Sequence, residues 1–468
     1  MEQRIRRNTA LKSIVSKFET NFENGYVDYI DEATYTQLIG FYESEKAYEK
    51  ALDVTDLALN QYEYRSDFYI AKSRLLLRLN AITESLKYID KANSIAPYQN
   101  EITILRAKAL AQSGQFIEAF EYIDQLKEDG LSDKYVDIHL CESDIYLEMN
   151  ELDKRYNSLK QALQIDPYHV EAHEKFWSTS ELCRRYMDCV TVMEALLNAD
   201  PYNHLAWYNL GQAHSFLGEY EKAIDAMEFS FTIDEDFENG YLDCAELCTQ
   251  IKDFEKAQKI YEEALTKFGD DNDVIIHVAE CQLYLNKVDA SKANLLKAIK
   301  QDPYNDQIFF LLGECYSKEE KWFSAVNAYH KGIDIDDNVG EYYLGLARAY
   351  VALEDYNKAT VNFHLAVSDG PEQTHYWVEF SSFLLKMGLF KEALRILDEA
   401  EDFSYGADLL YCRAISLYFL DEKEEAIRFL KEGLMEDYSL YTMIYSLAPE
   451  LQVDKEISSM IRYYAGEF

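Results

Sequence analysis

A repeat of about 34 residues runs through almost the whole chain and limits its fold more than any other feature. The clearest copy reads HLAWYNLGQAHSFLGEYEKAIDAMEFSFTIDEDF, from His204 to Phe237. Counting His204 as position 1 and stepping by this period, with small slips near both ends, gives twelve repeats. They begin at Glu32, Ser66, Asn100, Val136, Val170, His204, Glu238, Asn272, Asp306, Gly340, Thr374 and Ala407. A fixed period of this length is typical of stacked supersecondary units that bury their apolar faces against their neighbours.

Three positions of the repeat keep their character from copy to copy. Position 20 is small in eleven of the twelve repeats, with Arg155 as the exception. Position 8 is often Gly or Ala, and position 4 is mostly aromatic, as at Trp207 and Trp377. The small residues of position 20 are Ala51, Ser85, Ala119, Cys189, Ala223, Ala257, Ser291, Ala325, Ala359, Ala393 and Ala426.

The spacing Trp207, Leu210, Gly211, Tyr220, Ala223 closely resembles the tetratricopeptide repeat, a helix–turn–helix unit of the same period. Five of the six prolines (Pro97, Pro167, Pro201, Pro303 and Pro371) fall at position 32, where the second helix of such a unit ends. The resemblance implies an all-α, right-handed superhelical solenoid of about twelve helix–turn–helix repeats. Turns between helix A and helix B are expected near Gly218 and Gly388.

We divide the sequence into three parts. Residues 1–31 form a basic amphipathic helix, with Leu11, Ile14, Val15, Phe18 and Phe22 on one face, that packs on the first repeat. Residues 32–440 are the array of twelve repeats, and residues 441–468 are capping helices. In the cap, Val453, Ile457, Met460, Ile461 and Tyr464 form an apolar stripe, while Asp454, Lys455, Glu456 and Arg462 face away from it. A solenoid needs such a cap because its last repeat has no neighbour.

The segment from Lys127 to Leu196 departs from the pattern. The third repeat carries two extra residues around Lys127 to Gly130, and Arg155 stands at a position where its side chain is expected to be splayed outward. Trp177 and Leu196 are bulky residues at positions 8 and 27 of the fifth repeat. We expect a local change of superhelical pitch here, either a hinge or a drifted repeat.

The formal net charge of −39 favours solubility and repels nucleic acid and anionic lipid. We therefore expect no nucleic-acid partner, and the absence of a long apolar run predicts no membrane span. The basic N-terminus lacks the apolar core of a secretory signal. A cytoplasmic location is expected, with an organellar transit peptide as the alternative. The eight Cys, including Cys244 and Cys248, are expected to pack as small apolar residues.

No constellation typical of an enzyme is present. The phosphate-binding glycine loops and the serine nucleophile motif are absent from the sequence. His169 and His173 do not have the spacing of a zinc helix, and Asp334 to Gly345 lacks the Gly and Glu positions of a calcium loop. We expect no enzymatic activity, no metal and no cofactor.

The resemblance implies that positions 2, 5, 9 and 12 of the A helices line a concave groove. The set of Lys and Asn residues by which some family members grip a carboxylate is missing, because position 5 holds no Lys. Position 9 instead carries Glu246, Glu280 and Glu314 in consecutive repeats, beside an apolar row at position 5. The predicted partner-binding residues are Arg74, Lys108, Tyr208, Gln212, Leu242, Glu246, Ile276, Glu280, Phe310, Glu314 and Arg348.

These features predict a non-enzymatic scaffold that binds a protein or peptide segment in the concave groove. The acidic ladder beside an apolar row suits a basic and apolar ligand, although position 9 could also hold any polar residue in a wide groove. Arg74 and Lys108 give the N-terminal part of the groove the opposite sign. The alternatives are a structural or self-assembling subunit, and a regulatory sensor whose pitch changes on ligand binding.

Overall fold

The computed structural model describes residues 14–20, 22, 29–97, 99–128 and 136–465, and most of these residues lie in helices. No β-strand occurs in these residues. The chain divides into two compact units, Met1–Gly240 and Tyr241–Phe468. The fold is therefore all-α, as predicted.

A helix begins at each of the twelve predicted repeat starts. The A helices are α1 (Glu32–Ser44), α3 (Ser66–Arg78), α5 (Asn100–Gln112), α7 (Val136–Glu148), α9 (Val170–Leu182), α11 (His204–Phe216), α13 (Glu238–Gln250), α15 (Asn272–Tyr284), α17 (Asp306–Lys318), α19 (Gly340–Ala352), α21 (Thr374–Lys386) and α23 (Ala407–Phe419). The predicted register of the repeats is confirmed.

A second helix follows within each repeat. The B helices are α2 (Tyr48–Gln61), α4 (Ile82–Ile95), α6 (Phe116–Glu128), α8 (Leu152–Ile165), α10 (Tyr186–Ala199), α12 (Tyr220–Ile233), α14 (Phe254–Phe268), α16 (Val288–Gln301), α18 (Trp322–Ile335), α20 (Tyr356–Asp369), α22 (Phe390–Ala400) and α24 (Lys423–Glu436). The five prolines of position 32 each lie two residues after the end of a B helix, because proline cannot continue the helix.

The turn from helix A to helix B contains a left-handed residue at position 15 in every repeat. Gly218 and Gly388 have φ of +76° and +72°, so the two predicted turns are confirmed. Nine of the twelve residues at this position are not glycine, among them Lys252 and Glu320. Left-handed backbone is costly for residues that carry a Cβ, so the helices themselves do not favour this turn at the non-glycine positions.

Close contact between the two helices of a repeat explains the small residues. All twelve residues at position 20 are at most 4% exposed. A Cβ built on Gly211, at position 8, would lie 2.7 Å from Cγ of Met227 and 3.0 Å from the carbonyl oxygen of Ala223. The same crossing therefore restricts positions 8 and 20.

Helical residues 14–20 pack on the first repeat. Val15 is buried in a cluster with Tyr35 and Leu38, and Phe18 is partly buried against it. Lys50 forms an ion pair with Glu19 at 2.9 Å. The basic residues Arg4, Arg6, Arg7 and Lys12, with Leu11, lie outside the described residues. A role for this segment as a separate domain stays a prediction.

Two short 3₁₀ helices (Tyr438–Tyr441 and Pro449–Val453) and two α-helices, α25 (Thr442–Leu447) and α26 (Lys455–Tyr464), follow the last repeat. Ile457 and Ile461 are buried, as expected for a packed face. The prediction was wrong for Val453, which is 83% exposed because it lies in the 3₁₀ helix before α26. It was also wrong for Asp454, which caps α26 and accepts a hydrogen bond from the Tyr418 hydroxyl at 2.7 Å.

Candidate functional site

A cavity of about 580 Å³ lies among the helices of repeats two to five, within the first unit. Four consecutive A helices, α3, α5, α7 and α9, line it together with α8. Its lining residues are Arg74, Leu77, Arg78, Asn100, Glu101, Ile104, Leu105, Lys108, Ala111, Gln112, Asp137, Asp144, Leu147, Glu148, Arg155, Glu171 and Lys175. This volume is in the range of small-molecule and peptide-side-chain sites.

The cavity brings together the repeat positions that the sequence predicted for a groove. In the third repeat Glu101, Ile104, Lys108 and Ala111 hold positions 2, 5, 9 and 12, and all four line it. Residues with this spacing share one face of a helix. Arg74 and Lys108, two of the predicted partner-binding residues, therefore lie in one site.

Asp144 connects the cations of the cavity. Its carboxylate lies 3.1 Å from Nζ of Lys108 and 2.6 Å from Nζ of Lys175, so it joins neighbouring repeats. Burial raises the pKa of Asp144, but Lys108 and Lys175 together lower it by more, and the pKa lies below its ordinary value. Asp144 is therefore charged at neutral pH and holds both lysines.

Of the other ion pairs of the cavity, one lies within helix α9 and two join different helices. Nζ of Lys175 lies 2.8 Å from Glu171, and Nε of Arg74 lies 2.9 Å from Glu43. A longer contact of 3.4 Å connects Arg74 to Glu101. These pairs leave the cavity with charges of both signs, most of which are already matched within the protein.

Arg155 is the exception. The expectation that its side chain is splayed outward was wrong, since Arg155 is 4% exposed and lines the cavity from helix α8. Its Nε and Nη1 atoms are buried and have no hydrogen-bond partner among the described residues. Burial lowers the pKa of Arg155, and Asp144 offsets this only in part. A long side chain at position 20 can extend past helix α7 into the cavity, which the sequence pattern does not reveal.

Two further predicted residues of the first unit lie on α11. Nε2 of Gln212 donates to the Tyr208 hydroxyl at 3.0 Å. The Tyr208 ring also packs edge-on against Phe237, with 5.0 Å between ring centres. Both side chains thus have partners within the first unit, and they do not line the cavity.

The three glutamates of the predicted ladder lie in the second unit, in different surroundings. Glu246 is exposed, and the side chain of Glu280 is 25% exposed, with Nδ1 of His277 at 3.8 Å. That contact raises the pKa of His277. Glu314 accepts a hydrogen bond of 2.6 Å from the Tyr329 hydroxyl. The ladder therefore offers one exposed carboxylate, Glu246, while Glu280 contacts His277 and Glu314 is engaged by Tyr329.

The apolar row beside these glutamates is not a continuous surface in the second unit. Leu242 is half-buried, but Ile276 is 1% exposed and belongs to the core, so its prediction as a groove residue was wrong. Phe310 stacks on Tyr342, with 5.1 Å between ring centres. A branched apolar side chain at position 5 can pack against the neighbouring helix and need not face the groove. The packing of the surrounding helices determines which of the two it does.

Arg348, the last predicted residue, forms a two-pronged ion pair with Glu379. The two N–O distances are 2.8 and 2.6 Å. Its guanidinium is thus occupied within the second unit. Among the described helices none is long and apolar enough to cross a membrane.

Two tetratricopeptide repeat family models match the sequence, at residues 142–169 and 192–225. The first match contains the end of α7 and the whole of α8, and the second contains the end of α10, the whole of α11 and the start of α12. The chain is a tetratricopeptide repeat protein. The matches overlap the segment from Lys127 to Leu196, so that segment is recognisable as repeat sequence despite its bulky residues.

Among curated proteins, this tetratricopeptide repeat protein is 23% identical over 355 residues to the TPR repeat-containing protein YpiA of Bacillus subtilis (strain 168), covering 75% of the chain and 82% of the relative. It is 22% identical to tetratricopeptide repeat protein 21A of Mus musculus, over 63% of the chain and only 30% of the relative. The solved structure of yeast Tom70 aligns over 97% of this chain and 99% of its own, with 14% identity and a TM-score of 0.44.

Repeat proteins of this kind present extended surfaces for binding, and the tetratricopeptide fold supports a protein-interaction scaffold. Arg74 and Lys108, which the sequence predicts to bind a partner in a groove, line the cavity, whereas Asp144, Arg155, Glu171 and Lys175 were not among the predicted residues. A signal was available for Arg155, since it is the only large residue at position 20.

Proposed function

We propose that the protein is a non-enzymatic scaffold that binds a peptide segment of a partner protein in the charged cavity of its first unit. The observation that carries this proposal is that four consecutive A helices line one cavity of about 580 Å³. A site shared by several repeats suits an extended ligand that contacts one repeat after another.

The charges of the cavity support a ligand of mixed character. Five cations and five anions line it: Arg74, Arg78, Lys108, Arg155 and Lys175, with Glu101, Asp137, Asp144, Glu148 and Glu171. Apolar side chains, including Ile104 and Leu147, stand between them. A peptide with apolar and charged groups would contact both the apolar and the charged side chains of the cavity. The charged contacts would set the orientation of the peptide.

Leu147→Arg tests this proposal, because Leu147 lines the cavity and is 40% exposed, so that the fold tolerates a longer polar side chain. Leu296→Arg on helix α16 is the matched control, as Leu296 is similarly exposed at 52% but does not line the cavity. Partners captured from lysate of the source organism by the wild-type protein are identified by mass spectrometry and their affinities measured. We expect Leu147→Arg to abolish binding of the partner and Leu296→Arg to leave it unchanged. Equal binding by all three proteins contradicts the proposal.

A second candidate is a basic and apolar segment bound along the second unit. It is supported by Glu246 and Glu280, which stand at position 9 of consecutive repeats and form no ion pair with Lys or Arg among the described residues. The buried Ile276 and the engaged Glu314 make this strip a weaker site than the cavity.

A further inference from the structure

Arg155 has a place in the fold that the repeat pattern does not explain. Every other repeat has a small residue at this position, where the B helix presses on the A helix. Arg155 keeps its charge at all ordinary pH values because a guanidinium does not release its proton in proteins. A buried charge without hydrogen-bond acceptors is unfavourable, and a fold rarely keeps one without a partner.

The described part of the protein does not supply that partner. Asp144 is the anion whose charge acts on Arg155, but its carboxylate is shared by Lys108 and Lys175 at 3.1 and 2.6 Å. Glu171 is paired with Lys175 at 2.8 Å. Nε and Nη1 of Arg155 are left without an acceptor, at the wall of a cavity that is large enough for a ligand.

We propose that Arg155 is the anion-binding residue of this cavity, and that it binds a carboxylate carried by the peptide segment of the partner. The inference rests on the proposed function and names the chemistry that the cavity recognises. A carboxylate oxygen accepts a charge-assisted hydrogen bond from a guanidinium N–H, so a ligand carboxylate gives Nη1 of Arg155 the acceptor that the described residues do not provide.

The charge balance favours a carboxylate over a phosphate. The cavity wall carries as many acidic as basic residues, and Lys108 and Lys175 already share one acid. The guanidinium of Arg155, which has no ion pair among the described residues, therefore meets the single negative charge of a carboxylate. A dianionic phosphate group would need further free cations beside Asp144 and Glu171.

The test uses three pools of fluorescein-labelled hexapeptides with amidated ends, identical except for one central residue: Glu, Gln or phosphoserine. Binding to the full-length wild-type protein and to Arg155→Met and Arg155→Lys is measured by fluorescence anisotropy. We expect the wild-type protein to bind the Glu pool more tightly than the Gln pool by about ten- to a hundred-fold, the usual effect of hydrogen bonds to a charged group. Arg155→Met should lose this preference, and Arg155→Lys should keep a part of it, because an ammonium keeps the positive charge but not the donor geometry of a guanidinium.

A second measurement does not depend on any ligand. Methionine fills a similar volume without a charge, so Arg155→Met should melt at a higher temperature than the wild-type protein in the absence of peptide. The Glu pool should raise the melting temperature of the wild-type protein only. A lower melting temperature for Arg155→Met would show that Arg155 has a structural role and would overturn the proposal.

The remaining outcomes are also decisive. Equal binding of the Glu and Gln pools, a preference that survives in Arg155→Met, or tighter binding of the phosphoserine pool each overturns the assignment of a carboxylate ligand, as does the failure of every pool to bind. The proposed function is tested separately by Leu147→Arg and the captured partner. If the partner is lost in Leu147→Arg but retained in Arg155→Met, the cavity is the binding site and only the role of Arg155 fails.

Discussion

At the scale of single residues, the left-handed turn at position 15 fixes where one helix ends and the next begins. Gly218 has φ of +76° there, and a Cβ on Gly218 would meet no atom within 4 Å. Gly40, in the middle of α1, also has open space around it, but its backbone is helical. The two glycines thus differ in backbone conformation and not in available space.

Gly218→Ala should destabilise the protein by about 1 kcal/mol, because alanine pays the cost of left-handed backbone. Gly40→Ala should instead stabilise it by about 0.5–1 kcal/mol, since alanine is the better helix former. Urea unfolding followed by circular dichroism measures both. A shift of the same sign for the two variants would show that the turn does not depend on its conformation.

The side chain of His173 is buried, and its hydrogen bond from Asn209 favours the neutral form of the imidazole. Nε2 lies 2.8 Å from the carbonyl oxygen of Pro167, and Nδ1 lies 3.0 Å from the amide nitrogen of Asn209. In the neutral tautomer Nε2–H donates to Pro167 and Nδ1 accepts from Asn209. A proton on Nδ1 would face the Asn209 donor, and burial already lowers the pKa of His173 to about 4.

The protein should therefore lose stability as the pH falls from about 6.5 to about 4. The folded pKa lies below the unfolded value, so this contribution is complete above pH 6.5 and is lost as the pH falls towards the folded pKa. Between pH 7 and pH 5 the loss from His173 should be about 2 kcal/mol. His173→Gln should remove this part of the pH dependence, and urea unfolding at the two pH values measures it. Asn209→Asp gives Nδ1–H an acceptor and should raise the pKa of His173 in an NMR titration; an unchanged pKa would contradict the role assigned to Asn209.

At the scale of helices, the contact between helix A and helix B depends on the small residue at position 20 of the B helix. Ala359 on α20 is fully buried, whereas Val361 on the same helix is 58% exposed. Both residues can be changed to leucine without a change in charge. They form a matched pair for the packing of one repeat.

Ala359→Leu should destabilise the protein by about 1–3 kcal/mol, because three added carbons have no room between α19 and α20. Val361→Leu should change stability by less than about 0.5 kcal/mol, as is usual for exposed positions. Thermal melting of the two variants provides the comparison. If Val361→Leu were the more damaging change, the register of the repeat would be wrong.

At the scale of the whole molecule, the charge of −39 produces a field that attracts basic ligands everywhere, so a specific acidic site must be distinguished from that background. Glu246 and Glu280 are the carboxylates of the second unit that are aligned by the repeat and free of Lys and Arg partners among the described residues. Glu392 and Glu424 are exposed glutamates of the same unit that stand in the first turns of B helices.

The double variant Glu246→Gln/Glu280→Gln should weaken binding of a labelled peptide of alternating Arg and Leu residues and flatten its salt dependence up to about 0.3 M salt. The double variant Glu392→Gln/Glu424→Gln removes the same charge and should leave the affinity nearly unchanged. Fluorescence anisotropy measures both at low and high salt. Equal weakening by the two double variants would mean that the peptide senses only the overall charge.

The sequence by itself determined the repeats. The twelve starts, the position of the prolines and the small residues of position 20 follow from local rules: helices need a period of about 3.6 residues, prolines stop them, and crossing helices need small side chains. These requirements recur in every repeat. The clear copy at His204 was therefore enough to predict where the other repeats begin, from Glu32 to Ala407.

The tertiary structure alone decided which side chains meet. Ile276 turned into the core although its position was assigned to the groove, and Asp144 joined lysines from the repeats before and after its own. Arg155 was conspicuous in the sequence, but only the packing of α7 and α8 showed that its guanidinium is buried at a cavity and not splayed into solvent. The physical reason is that long side chains have several rotamers and reach several ångströms, so their contacts depend on neighbours from other repeats, which the pattern of a single repeat does not encode.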